Sequence, residues 1–301
     1  MKDIGKKKVE DPKRTPAFKE KTLAFLKEFG IVFGAFLILN NFVIASFLVP
    51  TGSMENEVMA GDLLFVNKMI YGGTSPRNIP FTNVRLPWFR VPGFRDVDRG
   101  DVIVFVFPGY RDEVTPEEFT FYLKRCVALA GDTLQVLHRV LYVNGKPAPL
   151  PRNLLYSSPR ILPPGQIDER IFPEGAPWNE DNYGPIVIPR KGMVIHLTAG
   201  NIRAWNVFIR REGHTVAVHD GRIEIDGRPT SEYTVGRDYL FGMGDHRDNS
   251  LDSRYWGFIP KENLVGTPLI VYWSWDSDIP IYNIFAKLGS VRWGRIGTLI
   301  K

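Results

Sequence analysis

The chain has 301 residues, of which 44% are hydrophobic and 24% are charged, so it is long enough for one large globular domain or two modest ones. The net charge of +5 is mild and no basic block carries interleaved aromatic residues, so the sequence does not indicate a nucleic-acid-binding protein. Cys126 is the only cysteine, which excludes an intrachain disulfide and a metal site of several thiolates. We expect no metal and no cofactor.

A long apolar segment, residues 29–49, reads FGIVFGAFLILNNFVIASFLV and follows a lysine-rich N-terminus. About 20 apolar residues suffice to span a bilayer as a helix, whereas the core of a cleaved signal is usually shorter. Asn40 and Asn41 weaken the pattern, because an amide in hydrocarbon needs a partner. The excess of lysine before the segment marks the cytoplasmic side. The sequence therefore predicts a basic cytoplasmic tail at 1–28, one transmembrane helix at 29–49, and an extracytoplasmic domain after Val49. A buried helix of a soluble protein is the alternative.

The outer domain has the pattern of a mostly β protein. Residues 99–108, RGDVIVFVFP, form a β-branched and aromatic run that ends in proline, and residues 119–132, FTFYLKRCVALAGD, form another. The following segment, TLQVLHRVLYVNGKP, closes on Asn144-Gly145, a strong hairpin signal.

Part of this pattern recurs later in the chain. Gly131–Pro147 reads GDTLQVLHRVLYVNGKP and Gly213–Pro229 reads GHTVAVHDGRIEIDGRP, with Gly, Thr, Val, Gly and Pro in register. One interpretation is a duplicated β-module, with residues 148–235 inserted as a second copy into a catalytic core formed by 50–147 and 236–301. In this alignment Lys124 matches Asn206, so the copy lacks that lysine. Chance matching of common hairpin patterns is the other interpretation.

Three segments carry polar or charged residues in surroundings where such residues are unfavourable unless they have a function. Ser53 follows a glycine in the turn VPTGSM, which marks either a helix end or a reactive serine. Lys124 lies within an apolar strand, where burial lowers a lysine pKa and allows it to act as a general base, unless it points outward on an edge strand. Residues 242–258, GMGDHRDNSLDSRYWGF, lack the spacing of a calcium loop and suggest a polar loop with an Asp252–Arg254 ion pair.

Together these segments resemble the bacterial type I signal peptidases. The nucleophile box of that family matches residues 51–54, TGSM, and its lysine box matches residues 122–125, YLKR, followed by Gly131-Asp132. Its C-terminal box matches residues 244–254 with one departure, His246, where the family usually carries Asn. The strand at 100–105 matches as well. The resemblance covers the apolar segment and residues 49–147 and 236–275, but the insert is covered less well.

The resemblance implies a membrane-anchored serine endopeptidase of the cytoplasmic (inner) membrane that removes signal peptides from exported preproteins. Its partners would be those signal peptides and the lipid bilayer, and we expect a monomer. It implies that Ser53 is the nucleophile, Lys124 the general base, and the Ser53 N–H and Thr51 hydroxyl the oxyanion hole. Ser250 would hold the lysine amine, while Asp245, Asp252 and Arg254 support the loop. The positions that match substrate pockets preferring Ala-x-Ala are Phe47, Val49, Pro50, Met54, Val104, Tyr122 and Leu123.

Other functions remain open on the residues alone. A Ser-His-Asp hydrolase would use His246 with Asp245 or Asp248, although no G-x-S-x-G elbow is present. A penicillin-binding protein needs Ser-x-x-Lys, but Ser53 is followed by Met-Glu-Asn, and Lys-Thr-Gly is absent. A self-cleaving repressor shares the Ser-Lys pair, yet a membrane anchor suits it poorly. A non-catalytic β-rich scaffold of the export machinery would not depend on Ser53 or Lys124.

Overall fold

The computed structural model describes residues 18–77 and 84–301, so most of the predicted cytoplasmic tail lies outside the described residues. Helix α1, Phe18–Ile38, continues into one π-helical turn, Leu39–Val43. The part from Glu20 to Val43 has 24 residues and is long and apolar enough to cross a membrane, and none of its most apolar window is buried against protein. The side-chain amide of Asn41 donates to the Leu37 carbonyl at 2.8 Å, so this amide has a partner within the helix.

The helix ends at Val43, so its predicted end at Val49 is wrong. Residues Ile44–Leu48 instead form strand β1, which pairs antiparallel with β2, Asp62–Asn67. The segment IASFL is apolar and partly β-branched, so it suits either structure locally, and pairing with β2 decides in favour of a strand. The consequence is that the chain enters the sheet before it reaches Ser53.

The remaining strands and helices follow in chain order. The strands are β3 Val102–Val106, β4 Phe121–Ala128, β5 Thr133–Leu137, β6 Val140–Val143, β7 Lys146–Pro147, β8 Tyr183–Val187, β9 Val194–His196, β10 Val216–His219, β11 Arg222–Ile225, β12 Arg228–Pro229, β13 Glu232–Thr234, β14 Tyr239–Met243, β15 Ile259–Pro260 and β16 Leu264–Ser274. The helices are α2 Ile202–Arg211, α3 Ser253–Trp256 and α4 Ile284–Gly289.

A seven-stranded antiparallel sheet, in the order β1-β2-β16-β3-β4-β14-β15, forms the central layer. Strand β3 lies in its middle and is buried along its whole length. Its alternate residues face two separate cores, since Val104 packs in one apolar cluster and Ile103 and Phe105 pack in another. This explains why β3 reads as a continuous apolar run rather than an alternating one. The mostly β fold predicted from the sequence is confirmed.

The two similar sequence segments form matching three-stranded meanders. Leu134 pairs with Val143 in β5–β6, and Val216 pairs with Ile225 at the corresponding positions of β10–β11. The Asn144 N–H donates to the Thr133 carbonyl at 2.8 Å, and the Asp226 N–H donates to the Thr215 carbonyl at 3.0 Å. The predicted hairpin turn at Asp226-Gly227 is present. Asn144 and Asp226 both have positive φ, 53° and 52°, as the two-residue turn requires.

The rest of the insert does not copy the first module. Asn206, which aligns with Lys124, lies in helix α2 rather than in a strand. Strand β8 pairs with β5, which belongs to the segment predicted as catalytic core. One apolar cluster also combines Val127 and Leu134 with Ile195 and Ile209. Residues 148–235 therefore share their core with the preceding residues, because this strand pairing joins them.

Candidate active site

Ser53 and Lys124 meet where the turn after β1 faces strand β4. The turn is held at its base, since the Gly61 N–H donates to the Val49 carbonyl at 2.8 Å. The Lys124 amine donates to the Ser53 hydroxyl oxygen at 2.6 Å. Strand β14 passes beside the lysine at Gly242, where a Cβ atom would lie only 3.1 Å from Lys124 Cβ. A glycine at this position leaves room for the lysine side chain.

Burial controls the charge of Lys124. Its side chain is almost fully buried, with a relative exposure of 3%, so it does not point outward from an edge strand. Burial lowers the pKa of Lys124 to about 8, while Asp252 opposes this effect and Arg254 adds to it. A substantial fraction of the amine is therefore neutral at mildly alkaline pH. A neutral amine offers a lone pair to the Ser53 hydroxyl, which is what a general base requires.

Ser250 lies close to this pair but does not bond to it. The Ser250 hydroxyl is buried and has no hydrogen-bond partner among the residues that the structure describes. The contact with the lysine amine that the resemblance implies is therefore not formed in this structure. Gly244 separates the two serines: a Cβ there would lie 2.3 Å from Ser250 Oγ and 2.5 Å from the Ser53 carbonyl oxygen. The loop thus approaches Ser53 so closely that only glycine fits at residue 244.

The polar loop at 244–254 is supported by two buried ion pairs. Asp252 accepts the Gly244 N–H at 3.0 Å and pairs with Arg254 at 2.8 Å, as predicted. Burial alone would raise the pKa of Asp252, but Arg254, together with Lys124 and the Gly244 N–H, lowers that pKa. Asp245 accepts two hydrogen bonds from Arg125, from Nε at 2.8 Å and from Nη2 at 2.6 Å. The sequence reasoning assigned no role to Arg125, although its place directly after the lysine was a usable signal.

His246 connects the loop at 244–254 to the turn that carries Ser53, and its ring does not contact the Ser53 hydroxyl. Its Nδ1 lies 3.1 Å from a Glu55 carboxylate oxygen, and its Nε2 lies 2.6 Å from the Ser157 hydroxyl. Its backbone N–H donates to the Ser53 carbonyl at 3.1 Å. The ring is therefore occupied by partners other than the Ser53 hydroxyl. This geometry does not support the Ser-His-Asp alternative.

A groove of about 410 Å³ runs beside the Ser53–Lys124 pair. All of the residues predicted to bind substrate line it, namely Phe47, Val49, Pro50, Met54, Val104, Tyr122 and Leu123. Thr51 lies at its edge and is exposed to solvent. The sequence reasoning missed several other lining residues, namely Leu48, Leu64, Phe121, Asn249 and Leu251. The groove is mostly apolar and is wide enough for a short extended peptide.

Within residues 18–77 and 84–301, no group of three or more His, Cys, Asp or Glu side chains is arranged to hold a metal ion.

Comparison with known proteins identifies the family. A family model described as signal peptidase, peptidase S26, matches residues 22–273. The chain belongs to this family. It is 29% identical to signal peptidase I of Buchnera aphidicola over 269 residues, which cover 85% of this chain and 78% of the relative. It is 28% identical to signal peptidase I of Pseudomonas aeruginosa over 281 residues (88% and 78%), and 29% identical to that of Rickettsia bellii over 280 residues (90% and 83%). The family expected from the sequence motifs is confirmed, and the chain is a serine peptidase.

Proposed function

We propose that this chain is a membrane-anchored endopeptidase that removes N-terminal signal peptides from exported preproteins, with Ser53 as nucleophile and Lys124 as general base. The observation that carries the proposal is the 2.6 Å contact between the Lys124 amine and the Ser53 hydroxyl beside an apolar groove. The lowered pKa of Lys124, about 8, supports the role of base.

The chemical steps follow from this pair. Ser53 Oγ attacks the scissile carbonyl carbon as neutral Lys124 takes the hydroxyl proton. The negative charge on the carbonyl oxygen is met by the Ser53 N–H and the Thr51 hydroxyl. When the intermediate collapses, Lys124 returns the proton to the leaving amine, and an acyl group remains on Ser53. A water molecule then attacks this ester, again with Lys124 as base, which releases the signal peptide and restores the serine.

The groove favours an extended apolar peptide. Strand β1 is an edge of the central sheet, since it pairs only with β2, so a substrate can add to its free side. The groove wall contains large apolar side chains such as Met54, Leu64 and Leu123, which leave space for small residues near Ser53. This arrangement fits the small residues that precede a signal-peptide cleavage site.

Membrane anchoring brings enzyme and substrate together. The apolar helix up to Val43 would span the cytoplasmic membrane with its N-terminus inside, and the catalytic domain would lie outside. Only a few residues separate Val43 from Ser53, so the nucleophile stays near the bilayer surface, where a signal peptide emerges. We expect the working enzyme to be a monomer.

The test is cleavage of a model preprotein in vesicles by the full-length chain and by Ser53→Ala. We expect the wild type to release a mature protein whose new N-terminus follows Ala-x-Ala, and the variant to release none. Cleavage at unrelated sites, or equal cleavage by the variant, would contradict the proposal.

A further inference from the structure

A second cavity, of about 310 Å³, shares no lining residue with the substrate groove. Four arginines line it, namely Arg77, Arg85, Arg211 and Arg237, and we refer to it as the arginine cavity. Of the described residues that line it, Glu262 is the only acidic one. Trp88 also lines it. An excess of cations around one cavity indicates a site for an anion.

Arg77 has no carboxylate partner in the described part of the chain. Its Nη2 donates to the Glu262 backbone carbonyl at 2.5 Å, and its guanidinium lies 3.9 Å from the centre of the Trp88 ring. Its Nε is buried and has no hydrogen-bond partner. Burial, followed by repulsion from Arg90, lowers the pKa of Arg77 to about 10. A buried charge with an unused donor is costly unless something pairs with it.

Arg211 also lines the arginine cavity and, like Arg77, forms no ion pair among the described residues. Its guanidinium donates to backbone carbonyls only, those of Gly109, Tyr110, Glu113 and Trp256. The carboxylates of Asp112 and Glu113 are near enough to raise its pKa, but burial outweighs them and lowers the pKa of Arg211 to about 10.

Among the described residues, Glu262 forms no ion pair with either arginine, although its charge raises the pKa of Arg77 against the effect of burial. Its carboxylate pairs with Arg237, which also bonds to Glu212. Residues 78–83, NIPFTN, adjoin Arg77 and contain no acidic residue. Within residues 18–77 and 84–301, carboxylates therefore offset the charges of Arg77 and Arg211 only in part, since burial still lowers the pKa of both.

The arginine cavity adjoins the end of the membrane helix. Arg77 and Trp88 lie on two segments that pair with each other, since the Ser75 N–H donates to the Phe89 carbonyl at 3.0 Å and the Val91 N–H donates to the Gly73 carbonyl at 3.0 Å. The Phe89 ring lies 5.8 Å from that of Phe42, in the last turn of the helix. Phe89 is 60% exposed and Trp88 is 38% exposed. Exposed aromatic side chains at the end of a spanning helix are typical of the lipid–water interface.

We propose that the arginine cavity binds the phosphate of an anionic phospholipid headgroup in the outer face of the bilayer. Guanidinium groups bind phosphate oxygens through paired hydrogen bonds, and the unused Arg77 Nε supplies one donor. The bound lipid would hold the segments around Arg77 and Trp88 at the membrane surface. The end of the membrane helix at Phe42, which packs against Phe89, would be held there with them. This inference rests on the membrane insertion proposed above, but not on the Ser53–Lys124 chemistry.

The test uses the full-length protein in detergent micelles, supplied with equal amounts of phosphatidylglycerol and phosphatidylcholine. Native mass spectrometry counts the lipids that each variant retains. We expect the wild type to retain phosphatidylglycerol preferentially, and Arg77→Gln to weaken this retention by about tenfold or more, as the loss of a charge-assisted hydrogen bond predicts. Because Arg77 is partly buried, the exposed Arg85→Gln provides a second variant that should fold normally and bind more weakly.

Arg228→Gln is the matched control, since Arg228 is exposed in β12 and does not line the cavity. Equal retention by all three variants, or no preference between the lipids, would overturn the inference. Competition by inorganic phosphate as effective as that of the lipid would show a free-phosphate site instead, and would also overturn it. Flotation of the wild-type protein with vesicles tests membrane insertion separately, so the two failures can be distinguished.

Discussion

The Lys124 amine lies 2.6 Å from the Ser53 hydroxyl oxygen, although 71 positions separate the two residues in the chain. Strand β4 supplies Lys124 and the turn between β1 and β2 supplies Ser53, and these three strands belong to the same sheet. The proposed nucleophile and base are therefore held by a turn between two paired strands and by a third strand of the same sheet, which is the kind of support that catalysis requires.

This contact predicts that the two residues act as a unit. Ser53→Ala and Lys124→Ala should each lower the rate of preprotein cleavage by several orders of magnitude, and the double variant should be no worse than either. Lys124→Arg should also be inactive, because a guanidinium stays protonated and cannot accept the proton. Lys146→Arg, at an exposed position in β7, is the control and should retain full activity. Additive losses in the double variant would show that the two residues work independently.

The pKa of Lys124, lowered to about 8 by burial, predicts the pH dependence. Only the neutral amine is a base, so kcat/KM should rise about tenfold per pH unit below pH 8 and level off above it. Lys68 is a matched control, because burial lowers its pKa to about 8 as well, but its amine bonds to the Asn40 carbonyl instead. Lys68→Met should leave the rising limb unchanged. A profile that is flat from pH 6 to pH 9 would exclude Lys124 as the titrating base.

The contacts of His246 predict that its ring can be replaced. Asn keeps a side-chain donor for Glu55, whereas the backbone N–H that bonds to the Ser53 carbonyl is present in any residue. His246→Asn should therefore keep cleavage within a few-fold of wild type and leave the pH profile unchanged. The measurement is kcat/KM together with circular dichroism. A loss of several orders of magnitude in a folded variant would favour a histidine-based triad.

The close packing of Gly244 against Ser53 predicts a large effect of one added methyl group on activity. An alanine Cβ would lie 2.5 Å from the Ser53 carbonyl oxygen and 2.3 Å from Ser250 Oγ, so the nucleophile turn must shift. A displacement of about 1 Å at a catalytic group can cost about a hundredfold in rate. Gly244→Ala should thus lower kcat by at least that factor. Gly200→Ala is the control, because its Cβ would meet only the Thr198 hydroxyl at 3.8 Å, and it should remain fully active.

Much of the proposed site was predicted from the resemblance to a known family, since the residues alone left other functions open. A lysine within an apolar strand and a serine on a tight turn are unusual locally, and the Asn144-Gly145 signal fixed the first meander. The helix end at Val43 could not be predicted, since IASFL suits a helix or a strand until β2 pairs with it. The shared core of residues 148–235 was missed for the same reason, because pairing of β8 with β5 joins residues far apart in sequence. The orientation of the Ser250 hydroxyl depends on packing around Gly244, which no local pattern reports.

Thr51 lies at the edge of the groove, exposed to solvent and two residues before the nucleophile. The tetrahedral intermediate places negative charge on the carbonyl oxygen, and among the described residues the Ser53 N–H donates to no backbone acceptor, so it is free to meet that charge. One donor is rarely sufficient, and we propose the Thr51 hydroxyl, which lines the same groove, as the second. Removing one oxyanion donor typically costs about 3–4 kcal/mol, or a hundred- to a thousandfold in rate.

Thr51→Val should therefore lower kcat by about that factor while KM changes little, because the donor acts mainly in the transition state. Thr51→Ser keeps the hydroxyl and should change kcat little, which makes it the matched control. Both variants are measured on one preprotein under saturating and limiting substrate. If Thr51 only packs or caps the turn, valine preserves its shape and the rate stays within a few-fold of wild type. An active Thr51→Val would therefore remove Thr51 from the oxyanion hole and leave the Ser53 N–H to act with another donor.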